Sequence, residues 1–131
     1  MTGALVILGV CHLTTALGLV EARRIGRTLL ATGGLATLAV AAWPQPSGGH
    51  VPAATLGFIL LALWPVLSGV PSRRIASTAT IVLVTLLGWL AAEIHDGSVV
   101  GLSERIVVAA QALWPLAAVL AVAISRPLPP R

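Results

Sequence analysis

Charged side chains are scarce in this sequence, because only 9% of its 131 residues are charged and lysine is absent. Soluble proteins carry about 25% charged residues. The hydrophobic share is 57%, and a soluble domain of this length has too small a core to bury so much apolar surface. Lipid must cover the remainder, so we predict one integral membrane domain over residues 1–131.

Cysteine is nearly absent, since Cys11 is the only one and lies within an apolar run. A lone cysteine excludes a disulfide, a CxxC motif and a thiolate metal cluster within one chain. A phosphate-binding glycine loop, a nucleotide motif and a Gly-Xxx-Ser-Xxx-Gly nucleophile motif are also missing. We therefore assign no catalytic residue, cofactor or metal ligand, and an enzyme is the less favoured class.

Aromatic residues make up only 4% of the chain, whereas its arginines give a formal net charge of +4. In a soluble chain such a charge would indicate nucleic-acid binding. Here the arginines form short pairs between apolar runs, without interleaved aromatics on which bases could stack. We expect membrane lipids rather than nucleic acid as partners. Arginine without lysine, beside abundant alanine, glycine and proline, favours a bacterial source.

Five apolar runs are each close to the 20 or so residues with which an α-helix crosses about 30 Å of hydrocarbon. The first run is not a secretory signal, because no basic residue precedes it and arginines follow it directly. The pattern predicts an all-α integral membrane helical bundle with about five transmembrane helices, at 2–20, 28–43, 51–70, 75–94 and 106–124.

The arginines also predict the orientation of the bundle. Basic residues flank transmembrane helices mainly on the cytoplasmic side. We therefore predict a multi-pass protein of a bacterial cytoplasmic membrane, with the amino terminus outside and the carboxyl terminus in the cytoplasm. The arginines that carry this prediction are Arg23, Arg24, Arg27, Arg73, Arg74, Arg126 and Arg131.

The sequence Ala-Leu-Trp-Pro occurs twice, at 62–65 and 112–115, in helices of the same predicted direction. The two copies are either a coincidence of composition or a weak internal duplication. Pro65 and Pro115 each free the carbonyl four residues earlier, which for Pro115 is that of Gln111. Because lipid cannot satisfy such a carbonyl, we expect a neighbouring helix to approach it. Trp64 and Trp114 are expected to pack inside the bundle.

Small residues at i, i+4 spacing predict where helices pack closely in lipid. Gly33, Thr37 and Ala41 form one such series, and Thr14 with Gly18 forms a shorter one. We interpret both as contacts within the bundle, because five helices have many internal contacts to fill.

His12 lies in the middle of the first run, where an unpaired polar group is costly. It is either a ligand-binding, proton-carrying or metal-binding residue, or an uncharged histidine bonded to Thr15, Gln111 or a proline-freed carbonyl. At the helical rise His12 lies about 15 Å below the start of its helix. Gln111 is expected to be shallower by roughly 6 to 9 Å, so that a direct bond would need tilt or a bridging water.

A second polar group is predicted at the outer surface, where His50 precedes the third helix and Glu93 and His95 end the fourth. Histidines and carboxylates can hold zinc. However, the sequence has no His-Glu-Xxx-Xxx-His motif, and Glu93 and His95 point to different sides of a helix. We assign no metal site here. Instead we predict an outward-facing polar cavity lined by His12, His50, Glu93, His95 and Gln111.

The order of several motifs resembles the bacterial membrane family named domain of unknown function 998, over about residues 9 to 123. Members of that family have six helices and no established activity, so the resemblance implies a fold and no chemistry. Against that pattern the chain would lack one leading helix. The motifs are CHLTTALGL (11–19), GRTLLATGGLAT (26–37), WPQP (43–46), GHVPAATLGFILLALWP (49–65), GLSER (101–105) and ALWP (112–115).

Three functions remain open at this point. The leading hypothesis is a non-enzymatic binding, transport-related or accessory subunit with an outward-facing polar cavity, because most polar groups other than arginine fall on the outer side. The alternatives are an intramembrane metal-dependent hydrolase with His and carboxylate ligands, and a purely structural bundle or oligomer former. An oligomer and a small-molecule ligand are compatible with the leading hypothesis.

Overall fold

The computed structural model describes residues 2–125, which form five α-helices and, within that range, no strand. The all-α prediction is therefore confirmed. Four helices are long and apolar enough to cross a membrane, and the first is a shorter apolar helix of 17 residues. The helices are α1 (Thr2–Gly18), α2 (Arg24–Ala42), α3 (His50–Ser68), α4 (Arg73–Asp96) and α5 (Val100–Ser125).

Each helix packs against its neighbours in sequence, and a small contact between α1 and α5 closes the bundle. Short turns join the helices, so consecutive helices run antiparallel. At one end the Arg23 N–H donates to the Ser68 carbonyl at 3.0 Å, which joins the start of α2 to the end of α3. We call this the arginine end, because it holds Arg23, Arg24, Arg27, Arg73 and Arg74. Its assignment to the cytoplasm stays a prediction of the positive-inside rule.

The first three helices approach each other closely because glycines lie between them. A Cβ added to Gly9 of α1 would lie 2.9 Å from the Gly34 carbonyl oxygen of α2. One added to Gly33 would lie 2.8 Å from Leu61 of α3. The series Gly33, Thr37 and Ala41 is buried, so its predicted role inside the bundle is confirmed. The shorter series is not a packing face, since no described atom lies within 4 Å of a Cβ at Gly18.

Arg27 has a structural role at the arginine end. Its Nε donates to the Ala16 carbonyl at 2.7 Å, and a terminal nitrogen donates to the Leu17 carbonyl at 2.9 Å. These carbonyls belong to the last turn of α1, where no backbone N–H of the helix remains to bind them. Arg27 therefore fastens the end of α1 to α2 and favourably places a positive charge at a helix carboxyl terminus.

Pro65 has no N–H to donate within α3, and the residue after it bonds to a neighbouring helix. The group that finds a partner is the Val66 N–H, which donates to the Thr80 hydroxyl of α4 at 3.1 Å. One turn later the Ser68 hydroxyl donates to the Pro65 carbonyl at 2.7 Å. The Thr80 hydroxyl thus joins α4 to the backbone of α3 next to Pro65.

Candidate functional site

The structure brings His12 of α1 and Gln111 of α5 together in the middle of the bundle. His12 is 1% exposed and Gln111 is 2% exposed. The imidazole lies beside the backbone carbonyl of Gln111. We call these two residues the polar centre.

The two residues meet because α5 begins at Val100, six residues earlier than predicted. Gln111 is therefore about 16 Å along α5, and His12 is about 15 Å along α1. The two residues therefore lie at similar distances along their helices, although no direct hydrogen bond joins their side chains. The segment before Ile106 continues as helix, with the Ser103 N–H donating to the Val99 carbonyl at 3.0 Å.

Gln111 connects α5 to α3 through its side chain. Its Nε2 donates to the Phe58 carbonyl of α3 at 2.8 Å. The backbone carbonyl of Gln111 faces the other way, towards α1, and loses its helical partner because Pro115 has no N–H. An unused acceptor therefore lies beside the His12 ring, as the proline pattern predicted.

His12 is the least satisfied polar group of the site. Neither of its ring nitrogens hydrogen-bonds to any group within residues 2–125. The expected bond to Thr15 is thus not formed, and the approach to the Gln111 carbonyl stops short of hydrogen-bond geometry. Beside His12 the α1 and α2 helices approach closely, because the His12 Cβ would lie 3.0 Å from a Cβ at Gly34. The buried imidazole therefore has no hydrogen-bond partner in residues 2–125.

The indole nitrogens of Trp64 and Trp114 are two further buried nitrogens without a hydrogen-bond partner in residues 2–125. Trp64 is 0% exposed, which confirms its expected place inside the bundle, and it belongs to an apolar cluster with Ala16 and Ala118. Trp114 is partly buried and packs against the same cluster. Neither indole N–H donates to a group of the described chain. Ala16 lies one turn beyond His12, so the Trp64 indole lies next to the polar centre, whereas Trp114 lies on the side of α4.

The α1–α5 contact is much less extensive than the α1–α2 contact. A groove of about 360 Å³ runs along it at the arginine end and begins within a turn of His12, at Thr15. In the other direction Val107 and Ser103 of α5 fill the interior, each 0% exposed. The α1–α5 groove is lined by Thr14, Thr15, Gly18, Leu19, Glu21, Val119, Val122 and Ala123.

The remaining members of the predicted cavity lie at the opposite end of the bundle in local contacts. His50 begins α3, and its Nδ1 is 2.9 Å from the Trp43 carbonyl oxygen. The Glu93 carboxylate accepts the Trp89 indole N–H and the Val99 N–H, both at 3.1 Å. His95 is at the surface, with its side chain 86% exposed beside Asp96. His50 is about 12 Å along α3 from Phe58. The single cavity joining all five residues stays a prediction.

The three histidines lie in separate parts of the fold. Within residues 2–125 no group of three or more His, Cys, Asp or Glu side chains is close enough to hold a metal ion. Zinc sites of hydrolases need three protein ligands and an open position. The geometry of the described chain therefore gives the hydrolase alternative no support.

The contacts made by Phe58, Trp64 and Trp114 at this site were not predicted. Both tryptophans directly precede the prolines of the Ala-Leu-Trp-Pro sequences. Because a buried indole needs an acceptor for its N–H, these two positions in the sequence indicate polar contacts inside the bundle. The Phe58 carbonyl has no such signal, because every residue carries a backbone carbonyl.

Comparison with known protein families identifies the family of this chain. A family model described as "Protein of unknown function (DUF998)" matches residues 1–121. The chain belongs to this family. The resemblance inferred from the motifs is thus confirmed over most of the length. None of the curated proteins and none of the solved structures matches the chain. The function of this DUF998 protein must therefore be argued from its own residues.

Proposed function

We propose that this DUF998 protein is a non-enzymatic binding, transport-related or accessory subunit of a bacterial cytoplasmic membrane, and that its polar centre takes up a small polar solute. The observation that carries the proposal is the His12 imidazole, 1% exposed and without a hydrogen-bond partner in the described chain. Burying an unpaired polar group costs about 1–3 kcal/mol in proteins. A bound solute that pairs with the ring removes this cost.

The surrounding groups indicate the chemistry of the solute. An uncharged imidazole offers one donor and one acceptor, the Trp64 indole offers one donor, and the Gln111 carbonyl offers an acceptor. Among residues 2–125, the buried polar side chains include no carboxylate and no guanidinium. An ionised solute would therefore have no counter-charge at this depth. The site favours a small uncharged molecule that both donates and accepts hydrogen bonds.

Access to the polar centre is proposed along the α1–α5 contact and, as the sequence predicted, from the outer side. The small extent of this contact supports movement of α1 away from α5. Val107 and Ser103 fill the path on that side, so opening requires such a movement. The α1–α5 groove offers a second route from the arginine end, and reagents added to one side of the membrane separate the two routes.

The experiment is thiol labelling in vesicles of a variant in which Cys11→Ala removes the native thiol. Single cysteines are placed by His12→Cys, Gln111→Cys and Glu93→Cys, with Leu17→Cys as the control. Leu17 is 72% exposed on the surface of α1, where lipid should cover it. We expect a small water-soluble thiol reagent added outside to label positions 12 and 111 faster than position 17. Equal, slow labelling at positions 12, 93 and 111 would contradict the proposal.

The hydrolase alternative requires stoichiometric zinc in the purified protein, and elemental analysis without zinc removes it. The structural alternative draws support from His50 and Glu93, whose hydrogen bonds stabilise local turns. It predicts that a polar reagent fails to reach position 12 from either side.

A further inference from the structure

A groove runs between α4 and α5, away from the polar centre. It has a volume of about 480 Å³ and begins at the arginine end with Arg74. Cavities of this size hold small organic ligands. The α4–α5 groove is lined by Arg74, Ile75, Thr78, Ala79, Val82, Leu83, Ala110, Leu113, Trp114 and Ala117. Its walls are thus apolar, and its charged member lies at the mouth.

The length of the groove fits one leaflet of a bilayer. From Arg74 to Leu83 the helical rise gives about 14 Å. Half of the hydrocarbon thickness of a bilayer is about 15 Å. With Arg74 at the level of the headgroups, the apolar walls extend to about the middle of the membrane. An acyl chain of the same leaflet spans this depth.

The mouth of the groove lacks a counter-charge. The first turn of α4 contains Arg73 and Arg74 and no acidic residue. Neither guanidinium forms an ion pair with a carboxylate of residues 2–125. A guanidinium binds phosphate oxygens through two parallel N–H donors, which makes arginine well suited to a phosphate group.

We propose that the α4–α5 groove binds one acyl chain of an anionic phospholipid and that Arg74 binds the phosphate of that lipid. The apolar walls fit the acyl chain, and Arg74, which has no ion pair within residues 2–125, fits the negative headgroup. This site lies between a different pair of helices from the α1–α5 contact, so it is independent of the solute proposed for the polar centre.

Trp114 provides a direct readout, because it lines the groove. The full chain is placed in phosphatidylcholine vesicles that contain a fixed fraction of a lipid brominated on its acyl chain. This brominated lipid is phosphatidylglycerol in one sample and phosphatidylcholine in the other. Bromine quenches nearby indoles, and the difference between the unmodified protein and Trp114→Phe isolates the contribution of Trp114. We expect brominated phosphatidylglycerol to occupy the groove about fivefold more favourably, as one interfacial arginine provides.

Two pairs of variants test the residues. Arg74→Gln should abolish the preference for phosphatidylglycerol, whereas Arg105→Gln, an exposed arginine at the start of α5, should leave it unchanged. Ala117→Phe fills the groove and should reduce quenching of Trp114 by both lipids. Its control is Ala109→Phe, at an exposed position of the same helix outside the groove. The Arg74 side chain makes no hydrogen bond within residues 2–125, so Arg74→Gln should fold.

Three results would overturn the proposal. The first is equal quenching by the two brominated lipids, and the second is a preference that survives Arg74→Gln. The third is evidence that a second copy of the protein, rather than a lipid, occupies the α4–α5 groove. Leu113, 62% exposed in the groove wall, is replaced by cysteine in the Cys11→Ala variant. Efficient cross-linking between two copies that phosphatidylglycerol does not reduce would show that protein rather than lipid covers the groove.

Discussion

The first three helices and the last two are packed very differently. The buried share of the apolar window is 39% in both α2 and α3, but 17% in α4 and 22% in α5. Both parts contain glycines, yet no described atom lies within 4 Å of a Cβ at Gly88 or Gly101. Glycine promotes close packing in lipid only where another backbone approaches it. The polar centre lies where these two parts meet, between α1 and α5.

The largest expected effect contrasts two glycines, one from each part. A Cβ at Gly26 of α2 would overlap Ser68 Cα and lie 2.6 Å from Ser68 N, and these are backbone atoms that cannot rotate away. We expect Gly26→Ala to lower the free energy of unfolding by about 3 kcal/mol. Gly88→Ala should change it little or raise it by up to about 1 kcal/mol, because alanine favours helix. Denaturation in detergent measures both, and equal effects would contradict the division into two parts.

The next effect tests how α1 is fastened within the tightly packed part. Arg27→Met keeps the apolar stem but removes the bonds to the Ala16 and Leu17 carbonyls. We expect a loss of about 1.5 kcal/mol, the low end for bonds to a charged group, since the site is partly exposed. Arg24→Met, at an exposed position with no such bonds in the described chain, should stay within about 0.5 kcal/mol. Denaturation curves that coincide for the two variants would show that the bonds contribute nothing.

A smaller effect concerns the contact between the two parts. Thr80→Val removes the hydroxyl that accepts the Val66 N–H directly after Pro65. Hydrogen bonds between transmembrane helices average about 0.6 kcal/mol, with a maximum near 1.7. We expect a loss of about 1 kcal/mol, and hydrogen exchange at Val66 should become faster. Thr85→Val, at an exposed position of the same helix, is the control. Unchanged exchange at Val66 would rule out the bond.

The smallest effect is expected at the polar centre. His12→Leu replaces a ring without protein hydrogen bonds by an apolar side chain. In the absence of added solute, the unfolding free energy should therefore stay within about 0.5 kcal/mol or rise. A loss well above 1 kcal/mol would show that the ring bonds to the Gln111 carbonyl in the membrane. In that case His12 would be a structural residue, and the proposed solute would lose its main support.

The sequence was sufficient to predict the helices, because twenty-residue apolar runs have few alternative structures in lipid. The apolar pattern places the start of α5 at Ile106, after the polar residues Ser103, Glu104 and Arg105, whereas the helix begins at Val100. These three residues are helical, because polar side chains do not prevent the backbone hydrogen bonds of a helix, such as that from the Ser103 N–H to the Val99 carbonyl. Measured from Ile106, Gln111 lies much nearer the start of its helix than His12 does, whereas measured from Val100 the two distances are similar.

Partners that are backbone atoms could not be predicted. Gln111 donates to the Phe58 carbonyl, and His50 lies against the Trp43 carbonyl. Carbonyls are present at every position, so only the relative placement of helices selects one of them. The proline pattern was an exception, because a missing N–H identifies a particular carbonyl in advance.

Arg27 also determines how α1 can move. With its last turn held to α2, α1 would swing as a lever whose pivot is near Gly18. Displacement would then grow with distance from the pivot, from about 9 Å of lever arm at His12 to about 24 Å at Thr2. A swing that moves the imidazole by a fraction of an ångström would therefore part the helices most widely at the far tip of α1.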